Sequence, residues 1–120
     1  MPNTTETMAT AMRELIEANR AAQQVLQKNE MRLERAMKNL ERGNDFQTAI
    51  ESTRPDAPRQ STNDVLRAYE AARHKLRLTV IRELLTTGMS IGEIGRKWGF
   101  SRQMASRYAR EVEGQAEGAA

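Results

Sequence analysis

The apolar residues of this chain recur at helical spacing in three stretches. The first, residues 5–42, contains neither Pro nor Gly and is followed by Gly43. The second runs from Ser61 to Thr87, and the third, Ser90 to Arg110, carries two short apolar sets on either side of Gly99. Such spacing predicts helices, and glycine ends them. The pattern therefore predicts an all-α protein in which a long, coiled-coil-like N-terminal helix precedes a C-terminal domain of three helices.

Two rows of residues at seven-residue spacing follow the first stretch. One row is Met12, Asn19, Leu26, Leu33 and Leu40, and the other is Met8, Leu15, Ala22, Asn29 and Ala36. A seven-residue repeat is typical of helices that pair side by side, and we expect a homodimer formed through this helix. The expected seam consists of Met12, Leu15, Asn19, Leu26, Leu33 and Leu40. The alternative is that the helix folds back on the second long helix of its own chain.

Residues 43–60 separate the two long helical patterns. Asn44 or Asp45 can cap a short helix whose Phe46 and Ile50 would dock on a neighbouring helix, and Pro55 and Pro58 then interrupt regular structure. We expect Ser61 or Thr62 to cap the second long helix. The predicted regions are a dimerisation helix at 5–42, a short helical turn and linker at 43–60, a three-helix domain at 61–113 and a flexible tail at 114–120.

The third stretch has the chemistry of two short helices around a tight turn. Ser90 has Glu93 three residues on, as in a capping box, and Ser101 can cap the helix that follows. Gly99 stands where a left-handed backbone is expected, and Gly95 faces the inside of the helix pair, where only a small residue fits. We expect Leu84, Leu85 and Ile81 to pack on Trp98, Ile94 and Tyr108.

About twenty residues from Ile91 resemble the helix-turn-helix of bacterial transcription regulators, phage repressors, resolvase-type recombinases and sigma factors. The family's small fifth residue, ninth glycine and five apolar positions fall on Gly95, Gly99, Ile94, Trp98, Phe100, Ala105 and Tyr108, which we expect to form a core with Leu84. The resemblance implies that helix 102–112 enters the major groove of duplex DNA. Its base-reading positions fall on Arg102, Gln103, Ser106 and Arg107.

The charge distribution supports the same stretch. The chain has a net charge of +3, yet residues 73–110 hold nine Lys or Arg against two Glu, which gives +7. A basic block of this kind provides salt-sensitive affinity for phosphates. The residues expected to contact phosphates are Ser90, Arg96, Lys97, Ser101, Arg110, Arg73, Lys75 and Arg77.

Other chemistry is sparse in this sequence. There is no cysteine, and His74 is the only histidine, which among Arg and Lys is typical of a solvated surface residue. No metal-ligand cluster, catalytic arrangement, phosphate-binding glycine loop or membrane span is recognisable. We therefore expect a protein that is not an enzyme, with no cofactor, metal or small-molecule ligand, in the cytoplasm and associated with the nucleoid.

These observations together favour a small dimeric regulator of transcription from a bacterium, phage or plasmid that binds double-stranded DNA. Two half-sites about 34 Å apart, or a multiple of that, would match two copies. The alternatives are a nucleoid or plasmid-partition protein with little sequence preference, or an adaptor that binds a protein such as RNA polymerase. Met104 can contact a thymine methyl group or pack within the protein.

Overall fold

The computed structural model describes residues 3–53 and 56–119, without the side chains of 56–57 and 116–119. These described residues form helices and no strand, so the all-α prediction is confirmed. The helices are α1 (Thr4–Glu41), α2 (Phe46–Glu51), α3 (Asp56–Thr86), α4 (Ile91–Trp98) and α5 (Arg102–Ala119). Within the described residues, no helix combines the length and the apolar character needed to cross a membrane.

The chain divides into two compact units, and α1 and α3 each contribute to both. Unit 1 comprises Met1–Glu14 and Ala72–Ala120, and unit 2 comprises Leu15–Ala71. Unit 1 therefore combines the first residues of α1 with the C-terminal half of α3, α4 and α5.

Unit 2 is built from two antiparallel helical segments and the short α2. Asn29 of α1 donates its side-chain amide to Thr62 Oγ1 of α3 over 2.7 Å. The residues of α1 and α2 that are buried in this unit are Ala22, Ala36 and Ala49. The helix that the sequence allowed to fold back on its own chain does so here.

The two seven-residue rows of α1 have different environments. In unit 2 the row with Ala22 and Ala36 is buried, and Leu15 and Asn29 of that row are partly buried. The other row remains exposed, since Leu26, Leu33 and Leu40 keep 41–66% of their surface accessible. Leu15 therefore lies apart from the exposed part of the expected seam. Alanine suits the inner row because it lets two helix backbones approach closely.

The prediction that Phe46 and Ile50 dock α2 on a neighbouring helix is wrong. Asp45 caps the helix, accepting a 2.7 Å hydrogen bond from the Thr48 amide. Ala49 is fully buried, whereas Phe46 is 71% exposed and Ile50 is 39% exposed. A six-residue helix presents little more than one side chain to its neighbour, and here the smallest one gives the closest approach.

The start of α3 also differs from the prediction, which placed it at Ser61. The helix begins at Asp56, and Pro58 lies in its first turn, where a missing amide hydrogen removes no helical hydrogen bond. Thr62 therefore does not cap the helix, and its hydroxyl donates to the Pro58 carbonyl over 2.6 Å. The predicted break at Pro55 lies outside the described residues.

Unit 1 contains the larger apolar core. Leu78, Ile81, Ile94, Tyr108 and Val112 form a buried cluster, against which Leu84, Leu85, Met89 and Phe100 pack. The expected role of Trp98 is wrong, because this last residue of α4 is 45% exposed. Phe100 packs against the cluster instead, with its ring centroid 5.5 Å from that of Tyr108.

The beginning of α1 lies along the C-terminal half of α3 in unit 1. Thr4 Oγ1 donates to a carboxylate oxygen of Glu83 over 3.0 Å, and Lys75 Nζ pairs with Glu14 at 2.8 Å. Ala11, between these contacts in sequence, is 2% exposed. The two pairs show that these segments are antiparallel.

Candidate nucleic-acid interface

The turn between α4 and α5 follows the local chemistry predicted for it. Ser90 caps α4 by accepting a 3.2 Å hydrogen bond from the Glu93 amide, and its hydroxyl donates to the Glu93 carboxylate over 3.2 Å. Gly99 ends the helix with a φ of +73°, a left-handed conformation that costs L side chains free energy. The Phe100 amide then donates to the Gly95 carbonyl over 2.9 Å. Three residues therefore suffice to connect α4 to α5.

Close packing at Gly95 fixes the approach of the two helices. A Cβ atom at this position would lie 3.0 Å from the Phe100 carbonyl oxygen and 3.7 Å from the Ala105 Cβ. Gly95 and Ala105 are both buried. Two small residues therefore bring α4 and α5 together, as their spacing in the sequence predicts.

One face of α5 is buried and the opposite face is open. Ala105, Tyr108, Ala109 and Val112 are at most 7% exposed. Ser101 caps the helix by accepting a 3.1 Å hydrogen bond from the Met104 amide. Since one face is held by the core and the first turn by its cap, the side chains on the other face have a defined direction. The helix continues to Ala119, beyond the frayed end expected near Val112.

The four residues expected to read bases lie together on the open face. Arg102, Gln103 and Arg107 are exposed, and Ser106 is partly buried. All four line an open groove of about 860 Å³, to which Met104 also contributes. Its remaining lining residues are Ile91, Ser101, Ala109, Arg110 and Glu113. Glu113 was not anticipated, and its carboxylate would repel phosphates and accept hydrogen bonds from base amino groups.

A second groove of about 590 Å³ adjoins the beginning of α4. Ser90, Arg96, Arg102 and Ser106 are among the residues that line it. Arg96 and Lys97 are exposed, as is Arg110 on α5. The structure thus brings most of the expected phosphate-contacting residues of this stretch to the same two helices. The hydroxyls of Ser90 and Ser101 are engaged in helix caps.

Two basic residues of α3 that were expected to contact phosphates have partners within unit 1. Lys75 is paired with Glu14. Arg77 donates to the Tyr108 hydroxyl over 2.7 Å, and its guanidinium carbon lies 5.3 Å from the Tyr108 ring centroid and 5.5 Å from that of Phe100. Arg77 therefore stabilises α5 through Tyr108, on the buried face of that helix. Arg73 is exposed and also takes part in an interaction.

His74 is more than the solvated residue that its neighbours in sequence indicate. Its Nε2 lies 2.7 Å from a carboxylate oxygen of Glu111 on α5, and its ring centroid lies 5.9 Å from that of Tyr108. Both His74 and Glu111 keep part of their side chains in solvent. The contact joins α3 to α5 across 37 positions, a separation at which the sequence carries no signal.

Among the described residues, no group of three or more His, Cys, Asp or Glu side chains is arranged to hold a metal ion. Neither a family model nor a curated protein nor a solved structure matches this chain.

Proposed function

We propose that this protein binds double-stranded DNA in a sequence-specific manner and regulates transcription, with residues 102–112 of α5 in the major groove. The observation that carries the proposal is the open groove around Arg102, Gln103, Ser106 and Arg107 on a helix whose opposite face is buried. An α-helix fits the major groove, where each base pair presents its own pattern of donors and acceptors. In this role the protein would bind DNA in the cytoplasm, at the nucleoid, without catalysis or a cofactor.

Base reading in this proposal follows from the donor geometry of the side chains. The guanidinium groups of Arg102 and Arg107 can each donate two hydrogen bonds to guanine, and the Gln103 amide matches adenine. Each good pair contributes roughly 1–3 kcal/mol of discrimination between bases. Ser106 can serve either base, and Met104, 40% exposed in the same groove, can contact a thymine methyl group.

Phosphate contacts would set the position of α5 on the duplex. Arg110 and Arg96 line the first and second grooves, and Lys97 is exposed next to Arg96 on α4; these three residues provide the sequence-independent part of the affinity. Arg77 contributes by holding Tyr108 rather than by touching a phosphate. Two copies of the chain would double the contacts and recognise two half-sites.

Two other functions use the same surface. A nucleoid or partition protein would bind random and selected duplexes equally well, and the basic block of residues 73–110 favours this alternative. An adaptor for a protein such as RNA polymerase would present α5 to a protein surface. The amide and guanidinium groups in one groove favour sequence-specific binding, because they form a donor pattern and not only positive charge.

In vitro selection of bound duplexes followed by gel shifts tests the proposal. We expect an enriched sequence, affinity that falls steeply with salt, and a loss of at least about 100-fold for Arg102→Ala with Arg107→Ala. Arg35→Ala with Lys38→Ala removes the same charge from exposed positions of α1 in unit 2 and is the matched control. Unchanged binding by the Arg102 and Arg107 variant would exclude base reading by α5, and equal affinity for all duplexes would favour the nucleoid protein.

A further inference from the structure

The exposed row of α1, together with Ile16 and Met37 beside it, forms an exposed face of the helix that no described residue of its own unit covers. In unit 2, Ile16, Leu26, Leu33, Met37 and Leu40 keep 41–66% of their surface accessible. They follow the alternating three- and four-residue spacing of a helix-pairing seam, with Asn19, Gln23 and Glu30 completing it. Several large apolar side chains exposed along one side of a helix are typical of an interaction site.

The charges beside this row identify the partner. The positions immediately after the row at seven-residue spacing are Arg13, Arg20, Gln27, Glu34 and Glu41, and all five are exposed. The two basic residues precede Gln27 and the two acidic residues follow it at equal distances. Charges at such flanking positions determine partner choice and orientation in paired helices.

We propose that the exposed face of α1 pairs with the same face of a second copy of this chain, in antiparallel orientation and with the two-fold axis beside Gln27. In this register Arg20 of each copy faces Glu34 of the other. The outer positions, Arg13 and Glu41, match in the same way. A parallel pair would instead place these charged positions opposite the partner's inner row, which consists of Leu15, Ala22, Asn29 and Ala36 and carries no charge.

Several other seam positions pair about centres within one residue of Gln27. Leu26 lies next to its own counterpart, and Ile16 lies opposite Met37. Gln23 lies opposite Glu30, whose carboxylate can accept a hydrogen bond from the amide. The two Gln27 amides, each with both donors and an acceptor, can bond to one another at the axis. The inner row, with Ala22 and Ala36, stays on the intrachain side and is not needed for this contact.

This inference deepens the two-copy arrangement in the proposed function, and its test does not require DNA. Light scattering should give twice the chain mass of 13.6 kDa, and Leu26→Glu should return the chain to one copy. The Arg102→Ala, Arg107→Ala variant should dimerise normally, which separates failure of DNA binding from failure of pairing. A single-copy mass at every concentration up to about 0.1 mM would overturn the proposal.

Charge reversal tests the orientation. Arg20→Glu should weaken the dimer about tenfold, because both symmetry-related pairs become repulsive at once. Adding Glu34→Arg in the same chain should restore it. In a parallel pair, residue 20 faces the uncharged inner row of the partner, so Arg20→Glu leaves the affinity unchanged, and that result would overturn the antiparallel register. Arg35→Glu, the same charge change at an exposed position outside the seam, is the control.

Cross-linking gives an independent measure, since the chain has no cysteine of its own. With a short thiol cross-linker, Gln27→Cys should link to itself. Arg20→Cys should link to Glu34→Cys when the two variants are mixed and not to itself. Absence of the mixed Arg20→Cys and Glu34→Cys product, from protein that is dimeric by light scattering, would overturn the inference.

Discussion

The two units of this chain bury different kinds of side chain. Unit 1 buries Leu78, Ile81, Ile94, Tyr108 and Val112 in one cluster. The buried residues of α1 and α2 in unit 2 are alanines, and several larger apolar residues of this unit remain exposed. Unit 1 thus buries large side chains in its core, whereas unit 2 holds its helices together mainly with small ones.

The largest difference between the units should be seen when a large core residue is truncated. Ile81→Ala in unit 1 should lower the free energy of unfolding by about 3 kcal/mol, because Ile81 is 2% exposed and its loss leaves a cavity. Leu33→Ala in unit 2 should change the monomer little, since Leu33 is 66% exposed. Urea unfolding of dilute protein, followed by circular dichroism, measures both. Equal losses would refute the contrast between the two cores.

The turn glycines should have the next largest effect. Gly99→Ala should lower the free energy of unfolding by about 1 kcal/mol, because a φ of +73° is unfavourable for alanine. Gly43→Ala should lower the free energy of unfolding by a similar amount, because Gly43 has a φ of +92° after α1. This effect should therefore be the same in both units. Thermal unfolding of both variants gives the comparison. Gly114→Ala is the control, because that residue is helical and has open space around a Cβ, and it should not destabilise.

Replacing a polar residue in the inner row of α1 should change the free energy of unfolding in the opposite direction. Asn29 Oδ1 is buried and has no hydrogen-bond partner among the described residues, although Nδ2 is bonded to Thr62. Asn29→Leu should raise the free energy of unfolding by about 1 kcal/mol, because it removes an unsatisfied group and leaves the Thr62 hydroxyl bonded to Pro58. An open cavity of about 390 Å³ beside Asn29 has room for the larger side chain. A lower free energy of unfolding of Asn29→Leu in urea would show instead that the Asn29 side chain stabilises the fold.

The smallest effect concerns the pH dependence of the α2 cap. Hydrogen bonds from the Thr48 amide and hydroxyl lower the pKa of Asp45. A carboxyl with a lowered pKa stabilises the fold above its unfolded pKa of about 3.9, and this contribution is lost as the pH falls through the folded pKa. Asp45→Asn keeps a capping acceptor but does not titrate. The difference in unfolding free energy between wild type and variant should therefore shrink below about pH 4, and a constant difference would contradict the cap.

Local features of the fold were predictable because they depend on neighbours in sequence. The Ser90 and Ser101 caps, the left-handed Gly99 and the close approach at Gly95 all depend on residues at most ten positions apart in the sequence. The start of α3 was predicted five residues late. Pro58 indicates a break in the sequence pattern, but the first turn of a helix tolerates proline.

The candidate site was predictable in part for the same reason. Arg102, Gln103, Ser106 and Arg107 share a groove because helical spacing brings residues at these intervals to one face. The engagement of Arg77 with Tyr108 and of His74 with Glu111 was not predictable. These partners lie 31 and 37 positions apart, and a basic residue that supports α5 has the same local sequence as one that faces a phosphate.

Short-range sterics and hydrogen bonds make the helices, their caps and the turn at Gly99 readable from the sequence, and the basic block is visible in its composition. Tertiary packing is needed to know which row of α1 is buried, that Phe100 rather than Trp98 packs against the core, and which basic residues already have partners. Both rows of α1 have the same helical period, so the pattern alone does not distinguish them. The choice between them depends on how closely the antiparallel segments of α1 and α3 pack, and the alanine row permits the closer contact.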